Sequence, residues 1–167
     1  TAMDALGISN ADVFGVSQGG MIAQYLAIDR PDLVHKMVLA VTLSKNNKTV
    51  ETVVNDWIRM TEQGDMKRLV EDMALKLYSE AYVKIYRPFL PLLTLLQKPK
   101  DMKRFIILAK ACLTCSTYAE LEKIQCPVLV LGGGKDQVVT GEASVEMAEK
   151  LGLTSEELKG NSVDALL

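Results

Sequence analysis

Three short apolar runs in this chain are bounded by glycine, proline or polar turn residues. They are Val13-Phe14 with Val16, Met37-Val38-Leu39-Ala40-Val41, and Cys126-Pro127-Val128-Leu129-Val130-Leu131. Runs of this length and composition predict buried strands, as in a parallel sheet covered on both faces. Between the first two, Met21, Ile22, Tyr25, Leu26 and Ile28 recur at helical spacing until Pro31 stops them. Strand, helix and strand in that order predict a right-handed βαβ unit.

Between the second and third runs the pattern is helical throughout. Val53, Val54, Trp57 and Ile58 predict one helix, and Met66, Leu69, Val70, Met73, Ala74 and Leu77 a longer amphipathic one. Tyr82, Ile85, Tyr86 and Phe89 predict a third, ended near Pro88 or Pro91, and Phe105, Leu108, Cys112 and Leu113 a fourth. After the last strand Thr140 is placed to cap a helix, with Glu142 in its first turn, Val145, Ala148 and Leu151 facing the sheet, and Gly152 as its stop. Residues Thr1 to Gly7 read as the end of a helix, so the chain is expected to begin inside an element of a larger domain. Ser155 to Lys159 reads as helix-like. The expected organisation is a core unit over 1–44, a helical insertion over 45–121 and a returning core segment over 122–167.

Chemistry concentrates at Gly15-Val16-Ser17-Gln18-Gly19, where strand turns sharply into helix. A serine on so tight a turn needs strained backbone angles, and Gly15 and Gly19 are expected to lack a Cβ so that the turn can close. The hydroxyl then stands at the carboxyl edge of the sheet. The amide of Gln18, at a helix N-terminus, is placed to donate to a developing oxyanion. The plainer reading is a glycine-rich turn in which Ser17 only caps the helix.

The stretch from Leu6-Gly7-Ile8 through Gly15-Val16-Ser17-Gln18-Gly19-Gly20-Met21 to Arg30-Pro31-Asp32-Leu33-Val34 closely resembles the nucleophile-elbow segment of α/β-hydrolases. The resemblance extends from Thr1 to about Gly152. It implies a partial α/β-hydrolase fold: parallel strands, flanking helices and a helical cap over the active site, formed here by the insertion. It also implies that Asp136, after the turn Gly132-Gly133-Gly134, is the acid that orients a catalytic histidine, in the chain order serine, aspartate, histidine. A turn or capping role is the plain alternative for Asp136. Where that family has a further strand and then its histidine, this chain has a polar segment ending without one. The family's strands ahead of the elbow, and a glycine-rich loop giving a second oxyanion donor, have no counterpart here.

The sequence holds one histidine, His35. In a βαβ unit Ser17 lies at the carboxyl end of its strand and His35 at the amino end of the next. A strand of five or six residues spans about 17–20 Å, which places His35 too far away to be the base.

Composition adds bounds. At 167 residues, 18.4 kDa and 49% hydrophobic, the chain suits one domain with a real core but falls short of a whole α/β-hydrolase. A net charge of −2, with scattered Lys and Arg, argues against nucleic acid or an anionic membrane as partner. The longest apolar run, Phe89 to Leu96, is too short to span a bilayer and contains Pro91. No signal-peptide pattern is present. Three cysteines predict free thiols in a reducing compartment, the cytoplasm, and Cys112-x-x-Cys115 lacks a second ligand pair. No metal or cofactor is expected.

The resemblance therefore implies a serine hydrolase of a small-molecule ester, thioester, lactone or amide with an apolar part. Its residues would be Ser17 as nucleophile, Asp136 as orienting acid and the Gln18 amide in the oxyanion hole. The chain is expected to be a fragment lacking the catalytic histidine and inactive alone. The competing class is a non-catalytic protein that binds a small ligand on the same scaffold. A sheet of about three strands would leave an apolar edge and one face bare, so a homodimer through that edge is expected.

Overall fold

A computed structural model of the chain describes residues 2–89, 101–153 and 156–158. A short helix α1 (Ala2–Ala5) leads into β1 (Ala11–Val16), α2 (Gln18–Asp29), a 3-10 turn at Pro31–Leu33 and β2 (Val34–Ala40). Then follow α3 (Lys48–Glu62), α4 (Met66–Leu77), α5 (Glu80–Tyr86) and α6 (Met102–Leu113). A 3-10 turn at Tyr118–Lys123, β3 (Val128–Gly133), α7 (Gly141–Lys150) and β4 (Glu156–Leu158) complete the described chain. The predicted stop at Pro91, the apolar run beyond Phe89 and the tail after Leu158 lie outside the described residues.

The sheet has four parallel strands in the order β1-β2-β3-β4. Its first three strands are those the apolar runs predict. The fourth corrects the helix-like reading over Glu156–Leu158, while Ser155 and Lys159 lie outside the described residues. Leu131, Gly132 and Gly133 of β3 pair with Glu156, Glu157 and Leu158. A backbone ladder at a sheet edge asks little of side chains, and two glutamates and one leucine give no apolar run to find it by.

One face of the sheet carries the core. Met37, Leu39 and Val130 are at most 1% exposed and pack with Ala23 and Ala27 of α2, Leu121, and Met147 and Ala148 of α7. The opposite face is open. Phe14, Val38 and Leu129 align across three strands, and Phe14 is 61% and Leu129 43% exposed. Among the described residues part of this face is therefore bare.

The helices between β2 and β3 form a second apolar cluster. Val50, Val53, Val54, Trp57 and Ile58 of α3 pack with Met66 and Leu69 of α4 and Ala109 of α6. Asn47 caps α3, Asp65 caps α4 and Asp101 caps α6, each accepting a backbone N–H in the first turn. This cluster also takes in Met21 behind the elbow and Val138 and Val139 beside Asp136. The insertion is thus packed onto the carboxyl edge of the sheet. It enters and leaves through one neck, where Thr117 donates from its backbone to Ser44 O at 2.7 Å and Lys45 bridges to Ser116.

Candidate active site

Ser17 follows the last residue of β1, and its backbone N–H donates to Ala40 O at 2.9 Å, one step beyond the paired strands. Its backbone then breaks from the strand to φ 50°, ψ −120°. For a non-glycine residue such angles cost about 1–3 kcal/mol, so the surroundings must hold them. They do so through the carbonyl of Ser17, which accepts from Gly20 N at 2.9 Å, Met21 N at 3.3 Å and Thr42 Oγ1 at 2.7 Å. Ser17 is exposed and holds the N-cap position of α2, but its side chain makes no capping hydrogen bond.

The glycines divide the steric work differently from the sequence expectation. A Cβ on Gly15 would stand 2.7 Å from both Gly19 O and Gly20 Cα, so only glycine lets α2 start directly against its strand. A Cβ on Gly19 would meet nothing within 4 Å among the described residues. The second crowded position is Gly20, where a Cβ would fall 2.5 Å from Thr42 Cγ2. Gly19 is therefore not the closing glycine here; the close approach is between α2 and the end of β2.

That strand end is strained too. Val41, buried, has φ 43°, a left-handed conformation that β-branched residues avoid, and its N–H donates to Leu131 O at 2.8 Å. Beneath it runs a buried polar network. Gln24 Nε2 donates to Leu43 O at 3.1 Å and Gly20 O at 3.2 Å, and Thr117 Oγ1 donates to Gln24 Oε1 at 2.6 Å. Gln24 and Thr117 are both fully buried. The network joins the elbow helix, the end of β2 and the neck of the insertion.

Gln18 is the first residue of α2, so its N–H is one of those with no intrahelical partner. Its side chain reaches away from the sheet and donates through Nε2 to Leu108 O at 2.8 Å. Nothing in the local sequence signals that contact, which joins residues ninety positions apart.

Asp136 sits in the turn after β3, 7% exposed, with its N–H donating to Gly133 O at 3.1 Å. Its Oδ1 accepts from Val138 N at 2.8 Å and Val139 N at 2.9 Å. Its Oδ2 is buried with no hydrogen-bond partner. Burial pushes the carboxyl pKa up to about 6, against the two amide bonds that lower it. Because β1, β2 and β3 are parallel neighbours, Ser17 and Asp136 share the carboxyl edge. They are separated by two strand spacings, or about 10 Å.

His35 is at the other edge, the second residue of β2, with Nδ1 2.8 Å from Asp12 Oδ1 and both side chains exposed. Cys112 and Cys126 are partly buried and Cys115 buried, all three are free thiols, and burial raises the pKa of each. Cys115 lies just past the end of α6 rather than within it. No group of three His, Cys, Asp or Glu residues among the described residues could hold a metal ion. A groove lined by Asn47, Lys48, Thr140, Glu142 and Glu146 opens between the first turns of α3 and α7, apart from Ser17 and Asp136.

A parallel sheet with a serine on a strained strand-to-helix turn and a buried carboxylate at the same edge defines a class. The family model for the alpha/beta hydrolase fold matches residues 1–162, and the chain belongs to that family. Among its relatives is RutD of Caulobacter sp. (strain K31), a carbamate hydrolase by name, 27% identical over 154 residues. That alignment covers 89% of this chain and 56% of RutD. Two solved structures share the fold at TM-score 0.84 and 21% identity. One is MGS-M2, an alpha/beta hydrolase enzyme from a Medee basin deep-sea metagenome library, matched over 96% of this chain and 60% of its own. The other is the enol-lactonase of Burkholderia xenovorans LB400, matched over 98% and 62%. The chain thus spans about three fifths of the length of these relatives.

Proposed function

We propose that the chain carries the nucleophile and acid of a serine hydrolase, with Ser17 as nucleophile, Asp136 as orienting acid and the Gln18 amide as an oxyanion donor. The observation that carries this reading is the pairing of two costly features at one sheet edge. Ser17 is held at positive φ with its hydroxyl exposed, and Asp136 keeps a buried oxygen without a partner. A turn or a cap requires neither. An imidazole N–H donated to Asp136 Oδ2 would satisfy that oxygen, hold the carboxyl ionised and leave the other ring nitrogen facing Ser17.

In the reaction Ser17 Oγ adds to the substrate's carbonyl carbon and gives its proton to that imidazole. The carbonyl electron pair moves to oxygen, where the Gln18 N–H donates. Collapse of the tetrahedral species expels the leaving group with the proton, and water repeats the sequence to free the acid and Ser17. The names of the relatives, a carbamate hydrolase and an enol-lactonase, suit a substrate that is a small carboxylic-acid derivative. We read residues 45–121 as the cap over this edge and its apolar side chains as the source of a preference for an apolar substrate part.

The single histidine of the sequence is at the far edge, so the base is supplied from outside these 167 residues, by a longer chain or a second copy. The chain alone is expected to turn over little substrate, in a cytoplasmic setting suited to free thiols. Among the described residues no helix is long and apolar enough to cross a membrane. The test is a fluorophosphonate probe with free imidazole added as the base, followed by intact mass, on the chain and on Ser17→Ala. Labelling that Ser17→Ala abolishes supports the nucleophile. Tight binding of apolar esters that Ser17→Ala leaves unchanged, with no labelling, would replace this reading by the ligand-binding one.

A further inference from the structure

The residue after the candidate nucleophile makes two contacts that the hydrolytic scheme does not use. The carboxamide of Gln18 donates to Leu108 O at 2.8 Å and lies against the Cys112 thiol, one turn further along α6. A first-turn glutamine is free to extend into water, and this one instead bonds to the main chain of the insertion. The turn it holds has two sides. Phe105, Ile106, Ala109 and Leu113 pack into the cluster of the insertion, whereas Leu108 stays 42% exposed.

We infer that Gln18 is a positioning residue that tethers the 108–112 turn of α6 to the elbow, fixing where Leu108 stands as the apolar roof beside Ser17. This rests on the reading of Ser17 as nucleophile and extends it to selectivity. The backbone N–H of Gln18 faces the developing oxyanion, and its side chain holds the surface against which the substrate's apolar part lies. One residue therefore couples roof to oxyanion donor. A substrate chain too bulky for the roof displaces α6, pulls on the carboxamide and misplaces the amide. A fitting chain leaves both in place.

The experiment uses Gln18→Glu, which keeps the size of the side chain but cannot donate at neutral pH, beside Gln18→Ala and Leu108→Ala. In a background of Cys115→Ala and Cys126→Ser, Cys112 is the sole thiol, and its alkylation rate on the high-pH plateau, where the thiol is fully ionised and the Gln18 contact no longer sets the thiolate fraction, reports the tether without any catalysis. Both Gln18 variants are expected to raise that rate at least about fivefold and to speed amide exchange over 108–113, the loss of one hydrogen bond of about 1 kcal/mol. Ser17 is then labelled with ethyl and octyl fluorophosphonates in the presence of free imidazole, which stands in for the base that these 167 residues do not bring to this edge. A preference between the two that drops severalfold in Gln18→Glu and in Leu108→Ala supports the positioning role. An unchanged alkylation rate overturns the tether, and an unchanged preference overturns the roof. If neither probe labels Ser17 even with imidazole supplied as the base, the nucleophile reading fails and the positioning role with it, while the alkylation rate still decides the tether.

Discussion

Thr42 occupies the volume that a side chain on Gly20 would need: its Cγ2, Cβ and Oγ1 lie 2.5, 2.6 and 2.7 Å from where that Cβ would sit. The same Oγ1 donates to the carbonyl of Ser17 at 2.7 Å. One threonine therefore fixes both the approach of α2 to the sheet and the strained turn of the serine. Gly20→Ala is expected to destabilise the chain by about 1–3 kcal/mol in chemical denaturation, as overpacking does, and to slow labelling of Ser17. Adding Thr42→Gly removes all three opposing atoms, so the double variant should lose less than the two single losses added together. Strict additivity would mean that the two residues do not oppose each other.

Gly15→Ala has no such relief. The atoms it would meet, Gly19 O and Gly20 Cα, are backbone of the helix that must start there. Its expected cost is at or beyond the upper end of the same range, about 3 kcal/mol, because no side chain can move aside. Gly19→Ala, with open space around it, should stay within about 0.5 kcal/mol of the parent. Equal losses at positions 15 and 19 would contradict the close approach described here.

Asp136 gives the chain a pH signature. Its carboxyl titrates near 6 when folded, against 3.8 as the ordinary value, so the folded state holds that proton more tightly than the unfolded state. The ionised form is the disfavoured one. Stability from this group is therefore greatest below about pH 4, falls as pH rises toward 6 and is lowest above it, by about 3 kcal/mol for a shift of this size. The difference in unfolding free energy between the parent and Asp136→Asn, measured from pH 4 to 7, should follow this curve. A flat difference would place the carboxyl in water rather than in the core.

Gln24→Leu should cost about 1–3 kcal/mol, because Leu43 O loses its amide donor and Thr117 Oγ1 its shortest acceptor in a buried setting. Faster amide exchange near Ser44 and Thr117 should accompany the loss, since the neck of the insertion is built on that network. A loss in stability without any change at the neck would assign Gln24 to packing alone.

His35→Gln should leave both Ser17 labelling and stability within about 1 kcal/mol of the parent, as exposed ion pairs are worth little. Loss of labelling in this variant would assign the base to His35 of a second copy, since within one chain the two residues stand at opposite edges.

Much of the core was legible because parallel strands carry their signal in side chains. Val13, Val38, Leu39, Val128 and Val130 lie in short apolar runs between breakers, and strand, helix, strand order alone puts Ser17 and His35 at opposite edges. Asp136 is singled out only through the family resemblance, as the carboxylate after a glycine turn, and it does follow the end of β3. Other features carry no such signal. The buried face of α2 is Gly20, Met21, Ala23, Gln24 and Ala27, not the larger Ile22 and Tyr25 that hydrophobic spacing selects, because a helix this close to a sheet needs small residues between them. Strand β4 is held by backbone pairing and shows no alternation. The reach of Gln18 to Leu108 is a tertiary contact across ninety residues, and Thr42 acts through shape at a position where sequence shows only a polar residue after a strand.

The open sheet face also governs how the chain behaves in a tube. One row, Phe14-Val38-Leu129, runs across the strands on the side away from the packed helices, with Phe14 and Leu129 exposed. With a net charge of only −2, there is little colloidal repulsion to keep such surfaces apart. Purified alone, the chain should light up apolar dyes and thicken with concentration, and Phe14→Lys should relieve both. Kinetic traces on it then need a dilution series, since an apparent rate that scales with crowding would report sticking rather than chemistry.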